Sequence, residues 1–271
     1  MERIEVVAYD PRWPEIFDQE RERIISSLKG DCLAIHHIGS TSVPGLAAKP
    51  KIDIVAVAKD RRRAIENLER LGYTYRGEWN IPLKCGFTRR DGPSVNLHLF
   101  FDGDHPEIEL NLRFRDYLRT HPEARREYVA LKEKILQDES AYRKVGKLAL
   151  TAYAMRKSEF IGTVLRKAGF RRLRVLKCWT DAEWAEAKKF QQSHYARLAT
   201  GDPALGENGE STEREHFILY HGVDMVGYAQ ICTFATEMRL CVFETLKKDA
   251  ASWFQSVLAE WIRVNADRAH R

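Results

Sequence analysis

An α/β chain of the mixed, α+β kind, laid out in two successive blocks, is what this sequence predicts. Three observations carry the expectation. Short β-branched runs alternate with capped amphipathic segments, and two such runs flank an Arg-Asp-Gly turn signal. The same alternation then begins afresh after Lys167-Ala168-Gly169-Phe170, which divides the chain into 1–170 and 171–271. With 271 residues, 44% hydrophobic and 31% charged, there is enough apolar material to bury a core in each block.

Taken in order, Val6 to Tyr9 is a short strand or extended arm. Asp10 is a good N-cap, with Pro11 at the first helical position, where its missing N–H is harmless. Trp13, Phe17, Ile24 and Leu28 follow at helical spacing and Gly30 ends the helix. Ile35 to Ile38 is a strand that runs into a Gly/Ser/Thr/Pro loop over 39–50, and Ile52 to Ala58 is the next strand. Asp60 caps a helix with Ile65, Leu68 and Leu71 inward, stopped by Gly72; residues 83–89 and 94–101 form a hairpin. From Pro106 the pattern is helical, with a break at Thr120-His121-Pro122 and a last helical run over about 140–168.

In the second block Trp179-Thr180-Asp181 caps a helix containing Trp184, Ala187 and Phe190, and 201–209 is a polar loop. Phe217 to Tyr220 and Val226 to Thr233 pair around His-Gly-Val-Asp, Met238 to Phe243 is a third strand, and a helix runs from Asp249 to Val264.

The net charge of +5 suits a phosphate-bearing partner but is too small and dispersed for a dedicated nucleic-acid binder. Five cysteines without a CxxC pair point to reduced thiols, no zinc site and a cytoplasmic location. No apolar run approaches membrane length, and Met-Glu-Arg-Ile-Glu is not a signal peptide, so no membrane partner is expected.

The segment that carries chemistry is His36 to Val55. A strand ending in Gly39-Ser40 lets the backbone approach a phosphate, while the hydroxyls of Ser40, Thr41 and Ser42 donate to it and Lys49 and Lys51 neutralise it. Asp53 stands on the next strand, where a carboxylate can hold a divalent metal against that phosphate. Each has a plainer reading: the glycines as turn formers, Ser and Thr as caps, His98 as a core histidine, and Lys49 and Lys51 as solvated surface. Lys132 and Lys157, on helices, are read as surface, with reaching the cleft as the alternative, and His37 as structural.

Ser40 and Asp53, separated by twelve residues, resemble the Gly-Ser, spacer, Asp-x-Asp/Glu signature of the DNA polymerase β nucleotidyltransferase superfamily. With Tyr9-Asp10-Pro11-x-Trp13-Pro14 upstream and Phe114-Arg115-Asp116-Tyr117-Leu118-Arg119-x-His121-Pro122 downstream, residues 1–165 resemble the GrpB family. The resemblance implies a nucleotidyltransferase-like mixed sheet with flanking helices, mostly of unassigned activity. In some relatives it implies fusion to dephospho-CoA kinase, whose P-loop is absent here. It also implies a divalent metal on Asp53; from the residues themselves, Mg²⁺ is expected there with His98 or Asn96 helping, and Asp53 and His98 are the candidate catalytic pair.

The superfamily pattern has three carboxylates, and this sequence departs from it. The second position, two residues after Asp53 on the same strand face, is Val55, and the neighbouring strand offers Asn96 and His98. Two functions therefore stay open: Mg²⁺-dependent nucleotidyl transfer, and binding of a nucleotide or phosphorylated small molecule without transfer. An interaction protein is a third.

Residues 171–271 resemble the first part of a GNAT acetyltransferase. The turn that holds acetyl-CoA pyrophosphate in that family reads Glu244 to Ala251 here, without glycine, and the closing strand and helix are not found. A degenerate or truncated module with three strands is expected, more an interaction domain than an N-acetyltransferase. Its last helix carries Trp253, Phe254, Val257, Leu258 and Trp261 as one apolar stripe. Either that stripe packs on the module's own sheet, or it meets a second copy in a homodimer.

Overall fold

The computed structural model describes residues 4–145, 150–178, 180–194, 213–234 and 237–266. They form two compact units. The first holds the described residues of Met1–Trp79, Lys84–Val145 and Ala149–Phe170; the second holds those of Asn80–Leu83 and Arg171–Arg271.

In the first unit the chain passes through α1 (Trp13–Leu28), β1 (Cys32–Ile38), β2 (Lys51–Ala58), α2 (Arg61–Arg70), β3 (Thr74–Gly77), β4 (Cys85–Arg89) and β5 (Ser94–Phe100). There follow α3 (Pro106–Thr120), α4 (Pro122–Leu136), the short pair β6 (Lys144–Val145) and β7 (Leu150–Thr151), α5 (Ala152–Met155) and α6 (Ser158–Lys167). The sheet order is β1-β2-β5-β4-β3, with β2 and β5 parallel and every other pair antiparallel. This is a mixed sheet with flanking helices, as the sequence predicts.

Alternation along β2 and β5 decides what each sheet face does. Ile52 and Ile54, with Val95, Leu97 and Leu99, are buried with Trp13, Ile24 and Leu28 of α1 and Ala64 and Leu68 of α2. The residues between them, Lys51 and Asp53 on β2, Asn96 and His98 on β5, share the opposite face. A one-residue slip would bury Asp53 in the aliphatic core, so register is strongly specified.

Local signals place most elements within a few residues. The extended arm is tied by a two-way backbone pair between Val7 and Ala48. Asp60 caps α2 through Arg63 N (2.9 Å). Asp10 acts two residues upstream of its expected position: its carboxylate accepts from Arg12 N (2.9 Å) in a turn, and the helix starts at Trp13. The helical run expected over 140–168 is interrupted, since helix begins only at Ala152 and breaks again at Arg156-Lys157. Strand β3 has no signal of its own: exposed and half-buried residues alternate in four residues, which is too short a window for periodicity.

The second unit runs β8 (Leu173–Lys177), α7 (Asp181–His194), β9 (Glu213–His221), β10 (Asp224–Thr233), β11 (Met238–Thr245) and α8 (Ala251–Ala266). Its sheet is antiparallel in the order β11-β10-β9-β8. The expected three strands gain a fourth because Leu173–Lys177 pairs with β9. Thr180 and Glu183 form a reciprocal capping box at the start of α7 (2.9 and 3.2 Å). Trp179 and the loop 201–209 lie outside the described residues.

The stripe on α8 packs on its own sheet. Phe254, Leu258 and Trp261 are buried with Phe217, Leu219, Ala229 and Ile231, and Trp253 and Val257 pack against the same cluster. That face therefore does not call for a second copy. Phe254→Ala is expected to destabilise the unit by about 3–5 kcal/mol in urea unfolding, as a core truncation does. A change below about 0.5 kcal/mol, the ordinary range for surface positions, would contradict this packing. The cysteines are free thiols, and no helix among the described residues is long and apolar enough to cross a membrane.

Candidate functional site

The loop from β1 to β2 is shaped first by Gly39. Its φ is +70°, and a Cβ there would lie 2.7 Å from Asp53 Oδ2, so only glycine lets the strand end rest on that carboxylate. A single 3₁₀ turn, Ser40–Ser42, follows. Ser42 Oγ donates to the Gly39 carbonyl (2.6 Å), and Thr41 Oγ1 donates to the Lys51 carbonyl (3.1 Å). With its proton so placed, Thr41 Oγ1 accepts from His37 Nε2 (3.1 Å). His37 also stacks on Phe17 at 4.7 Å. Burial, then Arg119 and Arg115, pushes its pKa down to about 4 and keeps the ring neutral.

Two arginines one turn apart on α3 hold the loop from outside. Arg115 Nη1 donates to the His37 carbonyl (3.0 Å), and Arg119 donates to the Ser42 carbonyl through Nε (3.1 Å) and Nη2 (2.8 Å). The downstream motif Phe114 to Pro122 thus serves the loop, and Arg125 in turn binds the Leu118 and Arg119 carbonyls at the break between α3 and α4.

Asp53 is the acidic centre. Asn96, opposite it in register, donates from Nδ2 to Asp53 Oδ1 (3.0 Å), and Arg90 Nη2 donates to Asn96 Oδ1 (2.9 Å). Lys51 Nζ is 3.8 Å from Asp53 Oδ1, and both side chains keep about a quarter of their surface open (29% and 25%), so a ligand can reach them. Lys49 and Lys157 lie over the ring of Tyr153, at 4.4 and 4.5 Å from its centroid. Burial, then repulsion from Lys51 and Lys157, lowers the Lys49 pKa to about 8 against the pull of Asp53. Burial likewise lowers Lys157 to about 8, with Asp53 supporting its charge and Lys51 opposing it. Lys132 donates to the Ala47 carbonyl and lies 4.5 Å from the Tyr128 ring centroid. Its pKa falls to about 7 through burial and then the charge of Lys157. Burial raises the Tyr128 phenol, whose hydroxyl meets Ser40.

His98 belongs to a different cluster. Its Nδ1 accepts from Lys84 Nζ (3.4 Å), and Trp79 meets the ring edge-on at 5.7 Å. Lys84 is buried, 4.3 Å from the Trp79 centroid, and burial pushes its pKa down to about 7. His98 is held neutral by burial and then by Lys84.

These distances sort the expected site residues. Gly39, Ser40, Lys49, Asp53 and Asn96 come together. Thr41 and Ser42 are buried and their hydroxyls are engaged in the loop, so they shape its turn. His98, expected beside Asp53, is bonded to Lys84 instead. The donor set does not fit a two-metal centre: Val55 replaces the second carboxylate, and lysines surround the first. Among the described residues no three His, Cys, Asp or Glu side chains cluster as candidate ligands for one metal ion. Two surface hollows of this unit, one lined by Tyr117, Leu131 and Phe160, the other by Gly45, Arg125 and Val129, hold none of the residues around Asp53.

The GrpB protein family matches residues 3–167, more than half of the chain. This chain belongs to the GrpB family. A UPF0157 protein of Halalkalibacterium halodurans is 41% identical over 172 residues, 61% of this chain and 82% of that protein. The crystal structure of the conserved protein GrpB from Enterococcus faecalis is similar with a TM-score of 0.52 at 30% identity, covering 60% of this chain and 96% of that one. The Cid1 poly(U) polymerase superposes with a TM-score of 0.37 at 15% identity over 56% of this chain and 50% of that one.

Sequence reasoning undervalued Lys132 and Lys157 in this GrpB domain, and left Lys51 open between phosphate and solvent. Two spacings carried a signal. Lys51 lies two residues before Asp53 and so shares its strand face. Lys132 follows Tyr128, and Lys157 follows Tyr153, by four residues, the spacing that sets a lysine on a ring one turn away.

The contact between Gly39 and Asp53 is testable against Gly45, which has φ +75° but nothing within 4 Å of where an added Cβ would sit. Both alanine variants carry backbone strain of about 1 kcal/mol or more. Gly39→Ala is expected to cost at least about 1 kcal/mol beyond Gly45→Ala, because its Cβ also meets the carboxylate. Equal losses in urea unfolding would mean that the close approach is unimportant.

Proposed function

We propose that the N-terminal unit binds a nucleotide or phosphorylated metabolite through its phosphate, at the surface formed by Gly39, Ser40, Lys49, Lys51 and Lys157 around Asp53. The observation that carries this reading is charge imbalance. Three lysines are drawn together around one carboxylate, and Lys49 and Lys157 are partly desolvated, so each proton they hold is disfavoured until an anion arrives. A phosphate dianion answers that arrangement, since it accepts several charge-assisted hydrogen bonds at once. Binding without transfer is favoured over two-metal nucleotidyl transfer because the carboxylates that would hold two ions are missing from the strand positions where they belong.

Differential scanning against nucleotides, coenzyme A and sugar phosphates, each beside its dephosphorylated counterpart, tests this. At 100 times its Kd a ligand adds about 2.7 kcal/mol of stability, which a melting curve registers. At least one phosphorylated class is expected to stabilise the protein while its dephosphorylated form does not, and Lys157→Met is expected to cut the effect to about half, as a tenfold loss of affinity would. Affinity for that ligand should also fall between pH 7 and pH 9.5. Lys49 and Lys157 are protonated below about 8 and lose their charge above it, while a phosphomonoester is already dianionic across this range. Stabilisation by no phosphorylated compound, or affinity that rises with pH, would contradict the reading.

A further inference from the structure

The nucleotidyltransferase-like fold raises the expectation that phosphate arrives as a magnesium complex. The side chains around Asp53 argue the reverse. We infer that the site takes its phosphate ligand free of metal, as an uncomplexed di- or polyphosphate anion, with Lys49, Lys51 and Lys157 standing where divalent cations would stand. The inference rests on the phosphate-binding reading above and goes further by naming the ionic form of the ligand.

Four observations support it. Asp53 Oδ1 is already engaged, accepting from Asn96 Nδ2 at 3.0 Å with Lys51 Nζ at 3.8 Å. Its Oδ2 lies beneath Gly39, close enough that a single added methyl would meet it at 2.7 Å. The strand position that would supply a second carboxylate is Val55, buried and apolar, and its register partner His98 is turned to Lys84. The charge near Asp53 is cationic: Lys49, Lys51 and Lys157 all act on one another or on that carboxylate. A divalent ion entering here would meet the repulsion of several ammonium groups for the attraction of one carboxylate, whereas a pyrophosphate group meets the opposite balance. Asp53 then works against the ligand's charge. Its role is to hold the lysines in place and to seat the loop through Gly39.

Isothermal titration of the full chain with inorganic pyrophosphate distinguishes the two arrangements. The titration is run at pH 7.5 in EDTA and in millimolar Mg²⁺ at matched ionic strength. Binding is expected in EDTA, weakened about tenfold by Mg²⁺, which masks the ligand's charge. Asp53→Asn keeps the acceptor for Asn96 and removes the negative charge, so it is expected to tighten binding in EDTA severalfold; Lys157→Met is expected to weaken it about tenfold. Circular dichroism and melting curves of both variants report whether the fold is retained, and Lys51→Met provides a second cation deletion if Lys157→Met unfolds. Binding that requires Mg²⁺ and disappears in Asp53→Asn would overturn the inference while leaving phosphate recognition intact. Equal affinity with and without Mg²⁺ would overturn it as well. No pyrophosphate binding in either buffer would remove both this inference and the site beneath it.

Discussion

The loop after β1 can close over Asp53 only because residue 39 has no side chain, and the rest of the site is arranged around that contact. A carboxylate roofed by backbone is largely shielded from water and must be compensated by hydrogen bonds or cations. Asn96 supplies the hydrogen bond and Lys51 the nearest cation. Lys49 and Lys157, spread on the Tyr153 ring, supply more positive charge than one carboxylate can balance. On the proposed reading, that excess is what an anionic ligand would answer.

Positioning comes from elements that never face a ligand. The loop backbone is held by Arg115 and Arg119 from α3, and from within by the chain His37, Thr41, Lys51 carbonyl. Removing either set would loosen the turn that carries Gly39 onto Asp53. On the far side of the sheet, Glu20 accepts from Arg89 and from Tyr73 (2.6 Å), a buried ionic cluster joining α1 to β4 beside the aliphatic core. That core fixes the register of β2 against β5, and register decides that Asp53 meets Asn96.

Much of this is legible in the sequence. Alternation over Lys51–Ile54 and Ser94–Leu99, the Asp60 cap and the Pro106 and Pro122 helix starts announce the mixed sheet and its flanking helices. The Gly39-Ser40 to Asp53 spacing marks the loop. What sequence does not carry is lateral. It does not say that β2 lies beside β5 in a register that sends His98 to Lys84, because that choice is made by packing of long-range neighbours. Nor does it separate a surface lysine from Lys132, whose ammonium binds the Ala47 carbonyl from 85 residues away. Hydroxyl roles are overread for the same reason: Thr41 and Ser42 have the chemistry to bind phosphate, but their oxygens complete the turn. In the second unit, the α8 stripe is ambiguous between a sheet and a second copy in sequence alone; the contact of Phe217 with Trp261 at 5.1 Å decides for the sheet.

On the proposed reading, cations of the protein and no metal held by Asp53 define this site. Anomalous diffraction from crystals soaked separately in tungstate and in Mn²⁺ tests it most directly, since each ion reports its own position. A tungsten peak is expected within hydrogen-bonding reach of Lys49, Lys51 and Lys157, with no manganese at Asp53. A manganese peak on the Asp53 carboxylate, with no tungsten among the lysines, would contradict it.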